Sequence, residues 1–216
     1  MSFTERLKKM QNYYLDIERE FSEFVQTVPY IDNPRNIHSP RLYGILHHTC
    51  TQVESLSKMI CDILQLEPDG DSFYSCYNKI NHNELLAWSK VVMIRTGEVI
   101  QPFRDQNTQS LDGNYMQHSW WVAYNRSKHK YPEGLIHATL GHVINSLSSA
   151  YILHEVARIA EDICTENILE KNQWGEKFSS NVQLDGTLLS GWRYAYELDS
   201  KFFVYITEYR GQGAST

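Results

Sequence analysis

From Trp120 to Lys130 the chain reads Trp-Trp-Val-Ala-Tyr-Asn-Arg-Ser-Lys-His-Lys. Two adjacent indoles lead into an amide, a guanidinium, an ammonium and an imidazole. On a helix Trp121, Asn125 and His129 stand four apart and share one face, with Tyr124 and Lys128 flanking it at the same spacing. Such a surface can bind an anion or move a proton. RNA cleavage, for instance, needs a base near a 2′-hydroxyl and cations near the phosphate that gains charge. A histidine such as His129 could serve as that base, Arg126 offers a planar fork for phosphate, Lys128 a point charge, and Asn125 can orient a ribose or phosphate oxygen. Tyr124 and Lys130 would line the same rim as binding groups. The same residues also fit a solvated basic helix face, or a buried polar network beneath a basic rim.

A second constellation precedes it. Arg41 and His47 have five residues between them, and His48 follows directly. On one helix His48, seven residues from Arg41, shares its face more closely than His47 does. The bland reading is a polar stripe along a packed helix. His137 and His142 are spaced poorly for a shared metal, and His154-Glu155 lacks the second histidine of a zinc-protease helix. No glycine-rich phosphate loop, nucleophile elbow or paired-carboxylate motif is present, so neither a metal nor a cofactor is indicated.

The elements that must position these residues are mostly helical. Ser2 with Glu5 makes a capping box, and Leu7, Met10, Tyr14, Ile17, Phe21 and Phe24 give an apolar seam that ends at Val28-Pro29. Ser39-Pro40 opens a second helix running to about Leu66, before Pro68-Asp69-Gly70-Asp71. Residues 73–80 and 84–88 read as short helices. Val91 to Arg95 and Glu98 to Ile100, around Thr96-Gly97, read as a small β-hairpin. Pro102 to Asn114 is a polar loop. The motif segment spans about Ser119 to Lys130, Tyr131-Pro132-Glu133-Gly134 interrupts it, and a long helix follows from about Leu135 to Asp162. Its small residues permit close helix approach. Gly191 to Tyr196 and Lys201 to Ile206 are β-prone and suggest an appended hairpin, with a disordered tail from Gly211. The expected organisation is one helical domain over residues 1–164 with an extension, 165–216, packed on it.

Composition sets the outer limits. With 216 residues, 42% hydrophobic and 21% charged, the chain can bury a substantial core, and its composition argues against global disorder. A net charge of −6 argues against a general coat for nucleic acid but leaves room for a local basic site. The four cysteines form no Cys-x-x-Cys pair, which suits reduced thiols in a cytoplasmic protein. The N-terminus has no apolar signal core, and no apolar segment reaches the length of a membrane span.

From about Ser39 to Val156 the chain resembles a family of uncharacterised bacterial proteins that belong with the HEPN-like helical domains. Three places carry the resemblance: Ser-Pro-Arg-Leu at 39–42 with the helix through Cys50 and Cys61, Ile-Gln-Pro-Phe at 100–103, and Trp-Trp-x-Ala-Tyr-Asn-x-x-Lys-His at 120–129 before a long Ala/Leu-rich helix. The resemblance implies a helical bundle, often a homodimer, in a prokaryotic stress or antiphage-defence system. It implies a metal-independent ribonuclease, or a non-catalytic relative that binds RNA, a nucleotide or a protein partner. The usual signature of these domains is Arg, four to six residues, then His. Arg126 and His129 have only two residues between them, and the usual spacing occurs at Arg41 with His47 or His48.

Overall fold

The computed structural model describes residues 1–28, 34–81, 85–104, 108–109, 116–165, 200 and 203–207. Helix α1 (Phe3–Thr27) starts at the expected capping box: Glu5 N–H donates to Ser2 Oγ at 3.2 Å, and Ser2 N–H to Glu5 Oε2 at 2.8 Å. Helix α2 (Pro40–Leu64) is capped by Ser39, whose Oγ accepts from Leu42 N–H at 3.1 Å. It stops two residues before the expected Leu66, because Gln65 takes a left-handed conformation (φ 53°) and lets Leu66 N–H close on the Cys61 carbonyl at 2.9 Å. Helices α3 (Phe73–Ile80) and α4 (Leu85–Trp88) follow.

Strands β1 (Ser89–Met93) and β2 (Val99–Ile100) form the expected hairpin, paired at Val91–Ile100 and Val92–Val99. Its loop is Ile94 to Glu98 rather than Thr96-Gly97 alone, closed by Gly97 N–H to the Met93 carbonyl at 2.8 Å, with Gly97 at φ 70°. Short strands β3 (Thr108–Gln109) and β4 (Met116–Gln117) pair with each other.

The motif helix α5 (Ser119–Lys128) ends two residues earlier than its sequence suggests. A 3₁₀ turn, Glu133–His137, then separates it from α6 (Leu140–Thr165), so the long helix begins five residues later than expected. Thr139 explains that start, since its Oγ1 accepts from His142 N–H at 3.3 Å and its carbonyl accepts from Val143 N–H at 3.0 Å. Strand β5 (Phe203–Thr207) runs antiparallel to β1, giving a three-stranded sheet in the order β2-β1-β5. The hairpin and the distal β-prone segment therefore share one sheet. Gly191–Tyr196 and the tail from Gly211 lie outside the described residues.

Helix α6 is buried nearly all round and is the central rod, packed chiefly on α2 and also on α1, α5 and the sheet. Its buried Ser146, Ser148 and Ser149 satisfy their hydroxyls on carbonyls three or four residues back, so they leave no unpaired polar group in these contacts. Leu42, Ile45, Leu46, Val53, Leu56 and Ile60 of α2 supply the facing apolar surface. The molecule is thus a mainly helical bundle with a small sheet at one side.

Candidate functional site on α2 and α5

Helix α5 is nailed down at its beginning. Trp120 is fully buried and donates Nε1–H to the Pro102 carbonyl at 3.0 Å. The His118 ring lies parallel to it (1°, centroids 5.7 Å apart), and Trp121 packs against Phe73 at 4.4 Å. The tandem indoles are therefore packing anchors with their polar edge satisfied. The end of the helix is held by the following turn. A Cβ built on Gly134 would fall 2.7 Å from both Cα and O of Ser127, so only glycine allows the turn to lie this close. Gly134 N–H also donates to the Lys130 carbonyl.

This arrangement presents Tyr124, Ser127 and Lys128 to α2. His47 Nε2 lies 2.9 Å from Ser127 Oγ. The Ser127 hydroxyl donates its one proton to the Tyr124 carbonyl at 2.9 Å, so it accepts from His47, which carries its proton on Nε2 and a lone pair on Nδ1. The imidazole stacks on Tyr43 (4.1 Å, 29°) and meets the Tyr124 ring edge-on (5.1 Å, 70°). Lys128 Nζ lies 4.8 Å over the Tyr124 ring, and Tyr131 packs edge-on to Tyr43. Burial, reinforced by His48 and the Lys128 ammonium, holds the His47 imidazole down at about 4, so it is neutral at pH 7. Burial likewise raises the Tyr124 phenol. Ser127 is fully buried with its proton committed to a carbonyl, which excludes it as a nucleophile in this arrangement.

The other residues singled out from the sequence go elsewhere. Arg41 turns to α1, where its guanidinium meets Glu23 at 2.6 Å and Glu20 at 3.8 Å. His48 is exposed beside Tyr13, with rings 6.2 Å apart. Of the two pairings at nuclease-like spacing, Arg41 with His47 is thus split between the α1 and α5 sides, while Arg41 and His48 both lie on the α1 side. Arg126 and Lys130 lie near His137, whose pKa is lowered by burial first and then by Arg126, His142 and Lys130. Asn125 is half-buried, and neither its side chain nor the exposed His129 imidazole has a hydrogen-bond partner among the described residues. His129 follows the last helical residue with φ −105° and ψ −7°.

The structure therefore brings Lys128 and Tyr124 together with His47, and not with Arg126 or His129. Tyr43, Ser127 and Tyr131 are the participants that sequence reasoning missed. The signal for one of them was available: Tyr43 and His47 stand four apart on α2, one turn on the same face. Among the described residues no group of three or more His, Cys, Asp or Glu side chains is placed to hold a metal ion, and no helix is long and apolar enough to cross a membrane. All four cysteines are free thiols. No family profile, curated protein or solved structure matches the chain.

Proposed function

We propose that this chain is a HEPN-like helical module that binds RNA or a nucleotide at the α2–α5 edge, within a prokaryotic stress or defence system. The observation that carries the reading is the Lys128 ammonium over the Tyr124 ring beside a neutral, hydrogen-bonded His47. A cation and aromatic rings at one edge suit a ligand with both a phosphate and a flat base. Arg126, near the end of α5, and Lys130, just beyond it, add sequence-independent attraction for the same anion. The helical bundle, with the motif helix laid against the helix that bears His47, is compatible with the HEPN-like resemblance.

A second reading is metal-independent RNA cleavage. It is favoured by the His47 Nδ1 lone pair, a proton acceptor a short way from an ammonium. It is disfavoured by the divergence of Arg126, Lys128 and His129, which leaves no convergent cluster around His129 among the described residues. Incubating the full chain with a labelled single-stranded RNA in EDTA tests both. Binding without turnover supports the module; cleavage that survives EDTA supports the nuclease. An RNA and a nucleoside monophosphate that both fail to bind sink the proposal altogether.

A further inference from the structure

We infer that the contact between α1 and α6 is an acid-labile joint, held shut by a neutral His154 and opened when that imidazole takes up a proton. His154 lies in the interior of α6 with no exposed surface. Neither Nδ1 nor Nε2 has a hydrogen-bond partner among the described residues. A neutral imidazole carries one donor and one acceptor, and an imidazolium carries two donors and a charge. The described residues supply no acceptor for either ring nitrogen, so protonation in place puts an unbonded cation in the core.

The groups around it do not rescue that charge. Across the joint, α1 offers the Tyr14 ring, edge-on at 5.5 Å, whose hydroxyl donates to Glu18 Oε1 at 3.3 Å. Glu18 is occupied by Tyr14 and by the Ser200 hydroxyl. On α6 itself, Tyr151 stands three residues before, and Glu155 is paired with Arg158 at 3.1 Å. The buried face of α2 contributes thiols, Cys50 and Cys61, and no charged side chain. From α5 the titratable buried group is Tyr124, from β1 there is the half-buried Lys90, and β5 presents Phe203. Burial alone, with no charged partner, lowers the His154 pKa to about 3.

The sign follows directly. The folded value lies below the roughly 6.5 of an exposed histidine. Stability from His154 is therefore fully present above pH 6.5 and is lost as the pH falls towards 3. Between pH 7 and pH 5 this one residue multiplies the opening equilibrium roughly 25-fold.

Urea unfolding of the full chain at pH 7 and pH 5 tests this, with His154→Leu as the comparison. The variant is expected to lose most of that 25-fold acid sensitivity, while the contributions of His47 and His137 remain in both proteins and cancel. Equal acid sensitivity in the two proteins overturns the inference. Amide hydrogen exchange, corrected for intrinsic rates, should show α1 opening at pH 5 in the wild type and not in the variant. Opening confined to α5 and the sheet contradicts the joint. Should His154→Leu not fold, ring ¹⁵N shifts of the wild type decide: a His154 ring neutral at pH 5 in the folded protein supports the joint, and one that titrates near 6.5 without unfolding overturns it.

Discussion

The two ends of α5 treat the same residue types in opposite ways. At its start an imidazole, two indoles and a phenylalanine from α3 interlock in the core, with the Trp120 N–H bonded and all four rings buried. At its end an imidazole from α2, two tyrosines and a lysine meet at a half-open edge, where Lys128 is exposed and His47 and Tyr43 are half-buried. Aromatic content alone does not separate these regions. What separates them is the turn after α5, which folds Gly134 onto Ser127 and so leaves Lys128 at the rim while burying the serine.

The largest expected effect lies at the buried end. Trp120→Ala removes a fully buried indole with its hydrogen bond and should cost about 3–5 kcal/mol in urea unfolding. A loss below about 1 kcal/mol would show that this end is not the anchor. Gly134→Ala attacks the junction between the ends. Its new methyl meets Ser127 backbone rather than a flexible side chain, so a destabilisation of about 1–3 kcal/mol is expected, together with a changed His47 environment by NMR. At the open end, Lys128→Ala should cost no more than about 1 kcal/mol of stability but weaken RNA binding roughly tenfold. The smallest effect is a pH trend. Because the folded His47 value is depressed to about 4, the His47 contribution to anion affinity should be flat from pH 8 to 6 and strengthen only as the pH approaches 4. A midpoint near 6.5 that disappears in His47→Ala would contradict the burial assigned to it.

Much of the frame was legible in the sequence. The Ser2–Glu5 and Ser39-Pro40 caps, the apolar seams of α1 and α2, and the β1–β2 hairpin depend on neighbours within a few residues, and local chemistry specifies them. The helix ends were less legible. The α2 end depends on a glutamine adopting a left-handed conformation, and the α6 start depends on Thr139 and on tertiary contact of the preceding turn. The pairing of β5 with β1 joins residues more than a hundred apart, which no local pattern encodes. At the site, periodicity placed Tyr124 and Lys128 together, but it treated His129 as a continuation of the helix. The chain leaves the helix after Lys128, and the imidazole that meets this edge comes from α2.

The central claim is that the ligand is met by His47 and Lys128 and not by His129. The most direct measurement is the affinity of the full-length wild type, His47→Ala, Lys128→Ala and His129→Ala for one labelled single-stranded RNA in EDTA, with unfolding curves confirming that each variant is folded. The account predicts that the first two substitutions weaken binding roughly tenfold while His129→Ala changes it less than about twofold. Loss of binding in His129→Ala, with His47→Ala and Lys128→Ala unchanged, would contradict it.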